Sequence, residues 1–312
     1  MKNEDIARSA IANRHVRQLT NREVAQALRV PGRADNKYTR GVVQLNTGSQ
    51  TYPGAAVLGT AGAIGAGPGM VRFAGAPTPT QLVLGRFPEV VPEAGRFEAA
   101  VIGSGWDPEQ ADQARKTLTS AGSSPVVVDA GAMEYVTGQM QKGAAGQTDL
   151  VSAPLVFTPH MGEAKKLWAV IGAGAPPADG HRLAHDLAKL TGAIVVLKTS
   201  TTWVASPDGT HSMFEAPSGW GATAGSGDVL AGVIGGVLAS TDFADTSVVD
   251  AVAAAVWIHG TAAARASGIW SKSGAVTANR GHPITAMDIA ANVPLVIGSL
   301  LRLTARDFGR SR

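Results

Sequence analysis

The chain has 312 residues, of which 45% are hydrophobic and 5% aromatic, with 38 glycines and no cysteine, so a large core is available while disulfides, thiolate nucleophiles and cysteine-held metals are excluded. The net charge is +3, and arginines gather at the ends, at Arg8, Arg14, Arg17, Arg22, Arg29 and Arg33 and again at Arg302, Arg306, Arg310 and Arg312. Basic ends without interleaved aromatics argue against a nucleic-acid partner.

Residues 1–40 read as an N-terminal extension with a helix, 41–300 as one α/β domain and 301–312 as a basic tail. The start, Met1-Lys2-Asn3-Glu4-Asp5, lacks the apolar run of a secretory signal, so a cytoplasmic protein is expected. No charge falls between Arg40 and Arg72. Polar residues at one end of that stretch and repeated glycine at the other leave too few large apolar side chains for a membrane span, so no membrane is expected and 54–66 reads as a small-residue helix packed on a sheet.

Strands are expected where β-branched runs lie between turn residues, at 41–45, 99–102, 126–129, 155–158, 194–198 and 202–206. Helical patterns fall at 54–66, 108–121, 162–170, 180–191, 227–239 and 246–266. The alternation implies an α/β fold, a mainly parallel central sheet covered by helices on both faces in a three-layer αβα sandwich. Ligands of such a sheet bind beyond the C-terminal ends of its strands.

Polar motifs stand at those ends. The first strand runs into Asn46-Thr47-Gly48-Ser49-Gln50-Thr51-Tyr52-Pro53-Gly54-Ala55, and the second into the close-approach loop Gly103-Ser104-Gly105-Trp106-Asp107. Asp129 ends the third. Thr158-Pro159-His160-Met161-Gly162-Glu163 ends the fourth, placing His160 at a strand-to-helix corner over the ligand edge and Glu163 in the first helical turn. Lys198-Thr199-Ser200-Thr201-Thr202 closes the next, a cation with hydroxyls suited to the flank of a nucleotide's phosphates or equally to a charged surface.

Gly219-Trp220-Gly221-Ala222-Thr223-Ala224-Gly225-Ser226-Gly227-Asp228 opens the apolar helix 227–239. A glycine-rich turn entering a helix is an anion site, because its backbone N–H groups converge at the positive end of the helix dipole. Gly225, Ser226 and Gly227 supply the expected hole. Asp228 beside it is a carboxylate placed where phosphate binds, which points to a general base acting on a hydroxyl in phosphoryl chemistry; an Asp near a helix start is also an ordinary N-terminal stabiliser. The loop lacks the Gly-Lys-Ser/Thr ending of a Walker A motif and the spacing of a dinucleotide fingerprint. His259 reads as a packed helix residue.

From about residue 19 to about residue 264 the chain resembles the nucleotide-dependent NAD(P)H-hydrate dehydratases of the ribokinase-like group. The carriers are Tyr52-Pro53-Gly54-Ala55-Ala56, Gly103-Ser104-Gly105, Val128-Asp129-Ala130, Thr158-Pro159-His160-Met161-Gly162-Glu163, Val196-Leu197-Lys198 and Ala224-Gly225-Ser226-Gly227-Asp228-Val229-Leu230-Ala231-Gly232, in that order. The resemblance implies repair of hydrated NADH and NADPH: ADP or ATP, with Mg2+ expected from nucleotide chemistry rather than from any protein ligand set, phosphorylates the hydrate's hydroxyl, and elimination restores the dihydropyridine. It further implies that Ala55, Gly105, His160 and Asp228 contact the hydrate, with Asp228 catalytic, and that Lys198, Thr199, Ser200, Thr201, Thr202 and Gly227 contact the adenine nucleotide. A homo-oligomer, a tetramer by the resemblance, and a separate epimerase that supplies the reactive hydrate are expected as well.

Thr199 stands where the family usually has glycine, and Gly131 where it has a second aspartate. Two other readings share the fold: a ribokinase-like kinase acting on a vitamin-precursor or sugar hydroxyl, and a nucleotide-binding regulatory protein without catalysis. The Thr158 to Glu163 and Tyr52 to Ala55 motifs, which a generic kinase does not need, favour the dehydratase.

Overall fold

The computed structural model describes residues 16–107, 110–144, 152–172, 174–270 and 279–309. Its strands are β1 (Arg17–Gln18), β2 (Val42–Asn46), β3 (Met70–Phe73), β4 (Ala99–Ile102), β5 (Val126–Val128), β6 (Leu155–Phe157), β7 (Ile194–Leu197), β8 (Thr201–Ala205) and β9 (His211–Glu215). They form one sheet in the order β1-β9-β8-β7-β6-β5-β4-β2-β3. Every neighbouring pair is parallel except β7 with β8 and β8 with β9, where the chain returns as a hairpin.

The helices are α1 (Asn21–Gln26), α2 (Gly54–Ala66), α3 (Pro77–Arg86), α4 (Ala111–Ala121), α5 (Gly131–Ala144), α6 (Met161–Ile171), α7 (Gly180–Thr191), α8 (Ser226–Ser240), α9 (Val248–Ala266) and α10 (Ala286–Gly309). Alternation along the strands divides the core into two layers. Val43, Leu45, Val101, Val127, Val156 and Val196 face α1, α2, α3, α8, α9 and α10. Val42, Ile102, Val126, Val128, Phe157 and Leu197 face α4 to α7. Both faces are buried, which is why the parallel strands read as nearly continuous apolar runs.

The six expected strands and six expected helices are present, with ends displaced by up to three residues. Beyond them the chain forms β1, β3, β9, α3, α5 and α10. The start of the expected helix at 108–121, residues 108 and 109, lies outside the described residues. Helix α10 runs through the segment expected as a tail as far as Gly309.

Helix α2 packs on the sheet as expected, with Gly59 against Leu45 of β2, and its principal partner is α8. A Cβ at Gly232 would lie 1.9 Å from the Gly59 carbonyl oxygen, and one at Gly62 would lie 2.3 Å from that of Val229. The two backbones therefore touch directly, which only glycine at these positions permits. Helix α10 closes over this pair with Ala286, Ile289, Ala290, Val293, Val296 and Leu300, the recurrence of a helix with one buried stripe. Residues 286–303 are also long and apolar enough to cross a membrane by length and composition.

Strand order reverses between β2 and β4, since β2 continues to β3 on one side while β4 leads to β5, β6 and β7 on the other. The loops after β2 and β4 flank this switch point, where open α/β sheets bind ligands. They are tied together by Gly48 N donating to Ser104 O at 2.7 Å, Trp106 Nε1 to Asn46 O at 2.9 Å and Gln110 Nε2 to Gly48 O at 2.9 Å.

Candidate active site

The glycine-rich loop enters α8 through a tight turn from Thr223 to Ser226, closed by Ser226 N donating to Thr223 O at 3.1 Å. Gly225 sits at the third position of that turn with φ 84° and ψ −5°, the type II geometry that requires a residue free to take positive φ. The closure changes the expected anion hole. The Ser226 N–H is used inside the loop, while the N–H groups of Gly225, Gly227 and Asp228, like those of Thr223 and Ala224 before them, have no protein acceptor among the described residues. Contact of α2 with α8 fixes the turn from behind, with the Asp228 carbonyl 3.5 Å from where a Cβ of Gly59 would stand.

Under this loop lies a buried polar knot at the ends of β4, β5, β6 and β7. Asp129 Oδ1 accepts from Lys198 Nζ at 2.9 Å and from Thr158 Oγ1 at 2.6 Å, and its Oδ2 accepts from Ser104 Oγ at 2.8 Å. Burial alone would raise the Asp129 carboxyl, but the Lys198 ammonium and these hydrogen bonds outweigh it and hold the group below the usual carboxylate range. Burial pulls Lys198 the other way, and Asp129, then Glu163 and Asp228, more than restore its charge, leaving it raised. The next residue, Ala130, has φ 42°, a left-handed conformation that costs about 1–2 kcal/mol and turns the chain directly from the carboxylate into α5.

Asp228 differs from Asp129 in having no protein hydrogen bond to its carboxylate among the described residues. Burial, and then the negative charge of Asp129, push its pKa up to about 6, with Lys198 opposing. Lys198 joins the two carboxylates to the loop: a Cβ on Gly227 would stand 3.2 Å from its Nζ. The result is a proton acceptor poised near neutrality, flanked by unpaired N–H donors and one ammonium, an arrangement suited to charge developing on a phosphoryl group while a hydroxyl loses its proton.

Ala55 and Gly105 meet at the switch point, where a Cβ on Gly105 would lie 2.5 Å from that of Ala55. His160 caps α6. Its Nδ1 accepts from Gly162 N at 2.9 Å and Glu163 N at 3.3 Å while Glu163 Oε2 accepts from His160 N at 2.8 Å, the reciprocal bonding of a capping box. The ring is 60% exposed. Lys198 N donates to Pro159 O at 2.8 Å, so the backbones of His160 and Lys198 are neighbours across the sheet. The hydroxyls of Thr199 and Thr202 donate to the carbonyls of Thr201 and Thr199 within their own loop, and Ser200 O accepts from Ala216 N. Thr201 and Thr202 open β8.

Residues 43–278 match the NAD(P)H-hydrate dehydratase family. The chain belongs to that family. It is 43% identical over 227 residues to the bifunctional NAD(P)H-hydrate repair enzyme of Mycobacterium tuberculosis, covering 70% of this chain and 45% of that protein. The chain thus spans about half the length of the curated relatives it matches first. An ADP-dependent (S)-NAD(P)H-hydrate dehydratase of Neisseria meningitidis is 33% identical over 269 residues, 80% of this chain and 87% of that protein. Among solved structures, the ADP/ATP-dependent NAD(P)H-hydrate dehydratase of Bacillus subtilis, co-crystallised with ATP and Mg2+, superposes with a TM-score of 0.74 at 25% identity, over 92% of this chain and 99% of that one. The fold is ribokinase-like.

Within this member of the dehydratase family, the expected site residues gather at one edge of the sheet: Ala55 with Gly105 at the switch point, and Lys198 with Gly227 and His160 beside it. The sequence reading left Asp129, Ser104 and Thr158 without a role, although Asp129 closing an apolar strand was a usable signal. His259, expected as a packed helix residue, is part-buried on α9 with Nε2 3.0 Å from Ser226 O. Among the described residues no group of three or more histidines and carboxylates is placed to hold a metal, and Asp129 is already saturated by Lys198, Thr158 and Ser104. These donors do not fit a protein-held Mg2+.

Proposed function

We propose that this chain dehydrates the hydrated forms of NADH and NADPH at the expense of ADP or ATP. The observation that carries the reading is the Asp228 carboxylate, unpartnered and raised to about 6, next to the free N–H groups of Gly225, Gly227 and Asp228 and the Lys198 ammonium. In the first step Asp228 takes the proton of the hydrate's hydroxyl as its oxygen attacks the terminal phosphorus of the nucleotide. The bond from that phosphorus to the nucleotide's bridging oxygen breaks, and the loop donors and Lys198 receive the charge of the phosphoryl in transit. In the second step the C–O bond of the phosphorylated hydrate breaks with loss of a proton from the adjacent carbon, releasing phosphate and the dihydropyridine.

The hydrate lies, in this reading, along Ala55, Gly105 and His160, and the adenine nucleotide along Lys198 to Thr202 with its phosphates at Gly227. Magnesium would be carried by the nucleotide's phosphates rather than held by the protein, since Asp129 is committed to Lys198, Thr158 and Ser104 and Asp228 serves as the base. The test is to incubate the protein with NADH hydrate and either ADP or ATP and to follow recovery of the reduced-nicotinamide absorbance. Recovery that requires the nucleotide is expected. Phosphorylated hydrate accumulating without recovery would mark a kinase instead.

A further inference from the structure

His259 stands part-buried on α9 against the anion loop. Its Nε2 lies 3.0 Å from the carbonyl oxygen of Ser226 and 3.4 Å from Ser226 Oγ. A carbonyl oxygen only accepts, so Nε2 carries the proton and the ring donates. Burial, with the nearby charge of Lys198 adding to it, depresses the imidazole to about 4, so the ring is neutral at physiological pH and its acidic proton is engaged. Those two facts remove it as a general acid or base.

The bond has a consequence for the neighbouring peptide. The Ser226 carbonyl and the Gly227 N–H belong to one planar peptide unit, and that N–H is one of the loop donors left without a protein acceptor. A hydrogen bond to the oxygen of an amide draws electron density toward it and makes the N–H at the other end a stronger donor. The rest of α9 serves as a rigid backing. Gly260 lies against the ring of Phe214, where a Cβ would come within 2.1 Å, and Ala263 meets the loop one turn on, with a Cβ on Gly221 falling 3.1 Å from its own.

We propose that His259 is a positioning residue of the phosphoryl site, fixing and polarising the Ser226–Gly227 peptide so that the Gly227 N–H is aimed at the nucleotide's phosphate. This rests on the reading of the loop as the phosphate site given above. It touches neither ligand itself.

Two variants separate donation from packing. H259Q keeps an N–H at the reach of Nε2, and H259M fills similar volume without a donor; should H259M fail to fold, H259N, whose shorter amide falls short of the Ser226 carbonyl, takes its place. Calorimetric affinity for ADP and ATP and steady-state kinetics with NADH hydrate are measured on each. H259Q should stay within about threefold of wild type. The donorless variant should bind nucleotide at least fivefold more weakly than H259Q, with kcat lowered and the KM for hydrate unchanged. A difference under fivefold, or equal weakening of hydrate and nucleotide, overturns the assignment. If wild type turns over no hydrate, the dehydratase reading fails while the nucleotide affinities still decide the role of His259; if wild type binds neither nucleotide, both fail.

Discussion

The ammonium of Lys198 lies 2.9 Å from the buried carboxylate of Asp129 and against the bare Cα of Gly227, so one side chain joins the central sheet to the first turn of α8. Removing it strands a carboxylate that is 2% exposed. K198M should therefore destabilise the fold by about 3–5 kcal/mol, and the double variant D129N/K198M should recover most of that loss, because both charges are then gone. The pair also sets a pH window. Asp129 titrates below its ordinary 3.8, so its contribution is complete above that value and is lost as pH falls through the folded pKa. Lys198 titrates above its ordinary 10.5, so its share is complete below that value and is lost as pH rises through the folded pKa. Urea unfolding across pH should show wild-type stability falling outside these limits, with a flatter profile for D129N/K198M. Equal slopes would remove the pair from the account.

Asp228 behaves in the opposite sense. Its pKa is raised from 3.8 to about 6, so the folded state holds a proton that the unfolded state has released, and stability declines as pH rises between those values. D228N should match or exceed wild type in stability at pH 8, by about 1–2 kcal/mol after allowance for partial exposure. The wild-type rate should fall as the base becomes protonated below about 6. A D228N protein less stable than wild type at pH 8 would contradict the reading of Asp228 as a carboxylate raised by burial.

The two loop glycines should fail for different reasons. Gly225 has φ 84°, and a Cβ there would lie 2.3 Å from Leu58 Cδ1, so G225A should lower stability by more than about 1 kcal/mol and weaken nucleotide binding with it. Gly227 is free of positive φ, and its added methyl would meet only the Lys198 ammonium at 3.2 Å. G227A should fold like wild type and raise the nucleotide KM severalfold. Thermal unfolding beside nucleotide titration separates them.

His160 carries two roles that one substitution confounds. H160A removes the acceptor for the Gly162 and Glu163 N–H groups and should cost about 0.5–2 kcal/mol through the lost cap. H160N restores an N-cap oxygen and should return the stability. If the exposed imidazole also contacts the hydrate, H160N will keep a raised hydrate KM with nucleotide affinity intact. Full recovery of the KM would confine His160 to capping α6.

Regular periodicity and apolar runs carried the sequence reading as far as the layers. The helices 54–66 and 180–191 have the expected bounds, and the apolar runs ending at Ile102, Val128, Phe157 and Leu197 pair in that order as successive parallel neighbours. Elements with weak local signals were missed. Strand β3 is four residues with an arginine among them, α3 opens on prolines at 77 and 79, and β9 reads His-Ser-Met-Phe-Glu, whose place is set by pairing with β8. At the site, the glycines and Asp228 were legible because backbone geometry and charge near a helix start are local properties. The Asp129 to Lys198 bridge and the His259 to Ser226 bond join residues 69 and 33 positions apart, and composition and spacing encode neither. Ser226 as a hole donor failed for a local reason, the turn that uses its N–H.

The central claim is that Asp228 is the base of a nucleotide-dependent dehydration, and it is tested most directly by stoichiometry in a single assay of wild type and D228N. Wild type should release one phosphate and regenerate one reduced nicotinamide for each terminal phosphoryl group taken from ADP or ATP. D228N should bind the nucleotide with affinity close to wild type while turnover drops by on the order of a hundredfold or more. Turnover by D228N within a few fold of wild type, or recovery of reduced nicotinamide without nucleotide consumption, would contradict it.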